Sequence, residues 1–366
     1  MIVQDVCNAI DALAPPSLAY SWDRCGLHVG EPDAEVRGVL VALTVTREAF
    51  VAARRARAQL IVSHHPLIWE PLKQLRTDDP HTRLCLDIAA SGIACYAAHT
   101  NLDVVPGGVN TAIADRLKLC AQSPLLSVPQ AAQVKLVTFV PDSHLASVRE
   151  AVCAAGAGVI GDYRYCSFSA AGIGTFLPDE NSDPYLGRKH VINEENERRF
   201  EVIVTKARLS RVLEALHASH PYDEVAYDIA VLDNLDPSIG LGVQGNLERP
   251  MTLGNFAKYV RRALGARHVR VVGSNDTRVH TIGVIGGSGA GEIARIPHSV
   301  DVLVTGDVRY HDALAAQDRG LAIIDAGHAA AEKWVVPALA EHLRLHCKKL
   351  RVSTYVEPEL FRAITE

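Results

Sequence analysis

This chain of 366 residues lacks most of the features that mark secreted, membrane or nucleic-acid-binding proteins. No run reaches about 18 apolar residues, so no membrane-spanning helix is expected. The first residues offer neither a basic start nor an unbroken apolar stretch, because Asp5 and Asp11 interrupt them, and a signal peptide is not expected. The eight cysteines, at positions 7, 25, 85, 95, 120, 153, 166 and 347, form no C-x-x-C pair. That spacing suggests neither a zinc knuckle nor a disulfide framework, and most of them read as small buried hydrophobes. Net charge is −5, which gives no general electrostatic grip on nucleic acid or on an anionic membrane. The local run Arg54-Arg55-Ala56-Arg57 reads as a solvated helix face. A cytoplasmic protein is the expectation.

What the chain does have is an ordinary globular composition, 48% hydrophobic and 22% charged, and enough length for two or three domains. Two distant stretches repeat one order of elements. In the first, strands are expected over 38–43, 59–62 and 93–98, with helices over 48–58, 84–91 and 109–117. In the second, strands are expected over 281–285, 300–304 and 321–324, with a short helix after a glycine-rich turn, a helix over 311–317 and a long helix from 329 to about 346. Alternation at this spacing implies parallel βαβ units. Between them lies a different order: strand 135–140, helix 143–154, strand 165–176, strand 200–204, helix 209–219 and strand 227–231. This is the β-α-β-β-α-β order of ferredoxin-like domains. The expected fold class is therefore α/β. Two similar lobes, 1–124 and 246–366, form one core, and an α+β domain is inserted at 125–245.

Three clusters of metal-ligand type end apolar β-like runs: Ser63-His64-His65-Pro66, then His99-Thr100-Asn101-Leu102-Asp103, then Asp325-Ala326-Gly327-His328 followed by Glu332. Ligands of open α/β sheets bind outside the carboxyl ends of the strands, which is where these clusters fall. A single histidine at a strand end is usually an ordinary hydrogen-bonded residue. Three clusters at matching positions point instead to one or two cations such as Zn, Mn or Fe, which imidazole and carboxylate suit.

The ordered set of motifs resembles the NIF-three-like family, whose members are often called GTP cyclohydrolase type 2 homologues. The motifs are Trp22-Asp23-Arg24-Cys25-Gly26-Leu27, Ser63-His64-His65-Pro66-Leu67, and His99-Thr100-Asn101-Leu102-Asp103 with Gly107-Gly108-Val109-Asn110. Thr305-Gly306-Asp307 and Gly327-His328 with Glu332 complete the set. The likeness covers nearly the whole chain. The middle segment, with Gly156 to Gly161, Tyr165-Cys166-Ser167-Phe168 and His220 to Tyr227, looks like that family's domain related to the PII and CutA folds. The resemblance implies a NIF-three-like core holding a dinuclear metal centre on His64, His65, Asp103, His328 and Glu332. It also implies a ring-like homohexamer of stacked trimers. Tyr222-Asp223-Glu224 stands where Tyr-Glu-Glu is usual in the family, a departure that leaves the metal site untouched.

Neighbouring residues of an extended segment point in opposite directions, so His64 and His65 suit two ions better than one unless the turn before Pro66 redirects a ring. His328 and Glu332, four apart at a helix start, face one side. Asp103 is the natural bridge between ions about 3.5–4 Å apart, the spacing of two-metal hydrolases. His99 is a candidate catalytic residue, as a donor to Asp103, a proton shuttle or a strand cap. Tyr310 and His311 read as a pocket-lining pair, with His311 a candidate general acid or substrate contact. Gly287, Ser288 and Gly289 lie between a strand and a helix, where backbone N–H groups could receive a phosphate, although a tight βα turn calls for glycine in any case. Trp22 to Leu27 could shape the pocket wall or close the core near the N-terminus, packing being the expectation, and His217 and His220 are expected to serve locally at a helix end. Two functions are consistent with these features. One is a two-metal hydrolase acting on a phosphorylated or nucleotide-like small molecule, opening of a purine ring included. The other is a non-enzymatic metal-binding or regulatory protein whose inserted domain senses a small ligand, the metal centre being structural or a store.

Overall fold

Three runs, Gly38–Ala42, Leu60–Ser63 and Ala94–Ala97, are buried at every position, as parallel strands covered on both faces require. They pair in parallel, Gly38–Ala42 with Leu60–Ser63 and Leu60–Ser63 with Ala94–Ala97. In the computed structural model, which describes residues 1–358, 360 and 361, these strands form the centre of a five-stranded sheet. Gly26–Val29 lies antiparallel at one edge and Arg351–Tyr355 parallel at the other. Helices begin where their caps predict. The Ala49 amide donates to the Thr46 hydroxyl ahead of Arg47–Arg55, and the Thr82 amide to the Asp79 carboxylate ahead of Pro80–Ala90.

A second sheet has six strands, in the order Arg270–Val272, Ala322–Asp325, Val302–Thr305, Arg278–Val284, Leu241–Thr252 and Cys120–Leu126. Arg278–Val284, Val302–Thr305 and Ala322–Asp325 run parallel, while the other three are antiparallel to their neighbours. Leu125, Ile285, Leu303 and Ile323 belong to the core on this sheet. Both sheets thus set a run of parallel strands, four in the first and three in the second, beside an antiparallel edge strand.

The chain divides into two compact units: residues 1–128 with 238–366, which hold both sheets, and residues 129–237. The latter unit follows the order β-α-β-β-α-β. Its four antiparallel strands lie as Ser167–Phe176, Asn193–Thr205, Ala132–Pro141 and Tyr227–Leu235. Leu136, Val148, Phe200, Val212 and Leu216 fill its core between the sheet and the helices Leu145–Ala154 and Leu209–Ser219.

One local expectation changes. The helix expected from 329 to 346 is broken into His328–Glu332 and Val335–His346. Pro337 is the cause: a continuous helix would need its missing N–H on the Lys333 carbonyl, and proline is tolerated only in a first turn. Trp334, at the break, lies under the Arg116 guanidinium at 3.9 Å from the ring centroid. The short helix expected after the glycine-rich turn is a 3-10 helix, Gly289–Arg295. No helix among the described residues is long and apolar enough to cross a membrane.

Candidate metal centre

His64 and His65 come directly after the last residue of the central strand Leu60–Ser63. The Ser63 hydroxyl donates to the His65 carbonyl at 2.8 Å, closing a tight turn before Pro66. The turn redirects the rings: His64 and His65 stand 5.1 Å apart between centroids, tilted by 43°, and face one cluster. His64 is 1% exposed. Its Nδ1 donates to the Ala98 carbonyl at 2.9 Å, which turns Nε2 toward the two carboxylates. That Nε2 has no hydrogen-bond partner. It lies 3.7 Å from Asp103 Oδ1 and 3.8 Å from Glu332 Oε1.

The other carboxylate oxygen of Glu332 gathers two more rings. Oε2 is 3.0 Å from His65 Nε2 and 3.0 Å from His328 Nε2, and the two nitrogens are 3.4 Å apart. Each ring is held from behind. Nδ1 of His65 lies 2.8 Å from the Thr44 hydroxyl, and Nδ1 of His328 lies 2.7 Å from Asp307 Oδ2. Partners of this kind fix the ring face that a metal would meet. Burial would depress the basicity of His64, but Glu332 and Asp103 outweigh it and raise the ring to about 9. The Glu332 contact likewise raises His328 to about 9. Burial dominates at His65, which is lowered, and at Asp103, which is pushed up to about 6. Glu332 is nearly enclosed, yet the three histidines hold it well below the usual carboxylate range.

An orphaned buried ring nitrogen costs about 1–3 kcal/mol. Three imidazoles and two carboxylates around such a nitrogen are a donor set for Zn, Mn or Fe. His64, His65 and His99 form one group able to hold an ion, and His65, His328 and Glu332 another.

His99 is oriented by Asp23, a residue of the Trp22 to Leu27 segment for which packing is the expectation from sequence and a pocket-wall role the alternative. Its Nδ1 is 2.8 Å from Oδ1 of Asp23, whose side chain is fully buried. Asp23 Oδ2 accepts from the Thr100 amide at 2.9 Å and from its hydroxyl at 2.5 Å. Trp22, in contrast, is 53% exposed, stacked on Tyr20 and edge-on to Trp69, whose ring in turn meets His99. Asn110 ties two motifs together: Nδ2 donates to the Asp103 carbonyl at 2.7 Å, and Oδ1 accepts from the Gly286 amide at 2.7 Å. Asp307 and Asn110 sit inside quoted motifs and Thr44 follows a strand, but Thr44 and Asp307 meet histidines 21 residues away and Asn110 meets Gly286, and no spacing reveals these pairings.

In the glycine turn, the Gly289 amide is given to the Thr305 hydroxyl at 2.9 Å. Gly287 has φ +60, and a Cβ there would lie 2.0 Å from Glu332 Oε1. The turn therefore lets the carboxylate approach. His311 is exposed at the start of the helix Tyr310–Asp318, with its ring against Tyr310. It is outside both metal-ligand groups. In the other unit, His220 accepts from the Tyr222 amide and bonds the Phe139 carbonyl, a local structural role. A cavity of about 1110 Å³ opens on His65 and His328 and is lined further by Glu48, Arg270 and Glu357.

The sequence matches the family described as Duf34/NIF3 (NGG1p interacting factor 3) over residues 1–359. It is 39% identical to a GTP cyclohydrolase 1 type 2 homolog of Halalkalibacterium halodurans, across 96% of this chain and 95% of that protein. The homolog so named in Bacillus subtilis is 36% identical over the same shares. A crystal structure of a Bacillus cereus protein related to NIF3 superposes with a TM-score of 0.86 at 37% identity, covering 100% of this chain and 99% of that one. With the His64, Asp103, His328 and Glu332 cluster in place and these matches spanning the chain, the protein belongs to the Duf34/NIF3 family.

Proposed function

We propose that this chain is a dinuclear metal-dependent hydrolase acting on a phosphorylated or nucleotide-like small molecule. The observation that carries the reading is the unpartnered, buried Nε2 of His64, set between the carboxylates of Asp103 and Glu332. His64, His65, Asp103, His328 and Glu332 would hold the two ions, with one Glu332 oxygen turned toward His64 and the other toward His65 and His328. Two divalent ions, when bound, supply Lewis acidity and a nucleophilic water near neutral pH. His99, fixed by Asp23, moves a proton beside the His64 and His65 rings. His311 and the turn Gly287-Ser288-Gly289 serve as outer contacts for the substrate. The names of the relatives, GTP cyclohydrolase 1 type 2 homologs, add purine nucleotides to the candidate substrates. The same proposal includes two similar α/β lobes, a PII/CutA-like unit at 129–237 and assembly as a homohexamer of trimers.

Purified protein loaded with Zn, Mn or Fe and offered nucleotides, GTP included, and phosphoesters tests this. Two metal equivalents and turnover that is lost in His64→Ala are expected. Metal-free protein after gentle purification and soaking, or equal inactivity of both forms, would sink it.

A second reading has its own support. The unit 129–237 holds a cavity of about 620 Å³, lined among others by Phe139, Tyr185, Glu197 and Tyr222, a size that suits small ligands. A regulatory protein would bind a small molecule there without turnover, with the metal centre structural.

A further inference from the structure

The two walls of the 1110 Å³ cavity differ in charge. Arg270, His268, Asp307, Asp325 and His328 come from the six-stranded sheet and its loops. Thr44, Glu48, His65, Tyr355 and Glu357 come from the five-stranded sheet and its loops. One candidate ligand of the metal centre thus stands on each wall.

Arg270 is paired across strands with Asp325, and its Nη2 donates to the Asp325 carboxylate and, at 2.8 Å, to the Val308 carbonyl. Asp325 does not depend on it. That carboxylate, 5% exposed, also accepts the Gly327 amide at 2.9 Å and the Val308 amide at 3.2 Å. The arginine side chain remains 66% exposed. A planar guanidinium anchored through one nitrogen and open elsewhere is preorganised for bidentate recognition of an oxyanion. Its anchor is also the cap of the turn that presents His328, so an anion held here lies beside the metal-ligand cluster. On the facing wall, Glu357 Oε1 accepts the Thr44 amide at 2.6 Å, and its Oε2 is buried without a partner. Glu48 and Glu357 line this facing wall, which leaves Arg270 as the place for an anionic group of the ligand.

We propose that Arg270, with His268 on the same wall, receives a phosphoryl group of the ligand. This deepens the hydrolase reading and rests on it, because the phosphoryl group is placed relative to His328.

The probe is inorganic pyrophosphate, titrated calorimetrically into the full-length protein, with the metal content of every sample measured in parallel. Wild type should bind. Arg270→Met should weaken binding at least tenfold with metal content unchanged, and Arg270→Lys, which keeps the charge but loses the fork, should fall between. Equal affinity in wild type and Arg270→Met, absent binding in wild type, or malonate binding as tightly as pyrophosphate with the same dependence on Arg270 would each overturn the assignment. The metal content reports separately on the hydrolase reading, so failure of one is not mistaken for failure of the other.

Discussion

Gly287 lies directly beneath Glu332: a Cβ at residue 287 would stand 2.0 Å from Oε1, the oxygen that faces His64. The backbone there is left-handed, φ +60, and a non-glycine residue pays about 1–2 kcal/mol for that alone. Gly287→Ala must also displace the carboxylate that joins the three histidines. The expected outcome is a stability loss of at least this size together with the loss of at least one metal equivalent, checked by thermal unfolding and elemental analysis. Full metal content in a stable Gly287→Ala protein would show that Glu332 is not a ligand.

Asp23 orients His99, and its second oxygen accepts two donors from Thr100. Asp23→Asn places an NH₂ group among donors wherever it is turned. A buried polar group left without its partner costs about 1–3 kcal/mol, and a loss in that range is expected in denaturant unfolding. Metal content should stay at the wild-type level, because Asp23 holds a ring and not an ion. Loss of an ion in this variant would place His99 among the ligands.

The same carboxylate sets a pH dependence. Burial would raise Asp23, but the hydrogen bonds from His99 and Thr100 outweigh it and hold the group well below the usual range. An acid depressed by folding stabilises above its unfolded pKa, about 3.9, and that contribution fades as pH falls below it toward the folded value. The gap in unfolding free energy between wild type and Asp23→Asn should therefore be widest near neutrality and should narrow below about pH 4. A gap unchanged between pH 7 and pH 3 would count against the hydrogen-bonded carboxylate as its source.

Asn110, 3% exposed, serves the Asp103 carbonyl and the Gly286 amide with one side chain. Asn110→Ala leaves both without a partner, at about 1–3 kcal/mol each before water enters. It also loosens the register between the Asp103 turn and the glycine turn under Glu332. Reduced stability in urea and weaker metal retention during dialysis against a mild chelator are expected together. Asn110→Asp, which keeps the acceptor for Gly286, should recover part of the stability.

Range along the chain decides which parts of this arrangement are legible in the sequence. The apolar runs before His64, His99 and Asp325 are local signals, and the crevice at the ends of parallel strands gathers the side chains that come next. Asp23 and His99 are 76 residues apart, and Asp307 and His328 are 21 apart. Neither pairing leaves a periodic trace. Gly26–Val29 escapes a sequence reading because it is short and only half buried throughout, without alternation. Cys120–Leu126 escapes it because its first four residues are exposed and Pro124 reads as a breaker. It is a strand by virtue of its edge position against Leu241–Thr252. The glycine turn looks like a phosphate cradle, and only the approach of Glu332 from 45 residues downstream reveals what Gly287 accommodates.

The strand Arg351–Tyr355 pairs with Gly38–Ala42 along its whole length. During synthesis from the N-terminus, the first sheet must therefore wait with an unprotected edge, its backbone groups open to other nascent chains, until residues 351–355 have emerged. Truncation just before residue 351 should yield a chain that clumps on release, and supplying the missing strand as a separate peptide should suppress that.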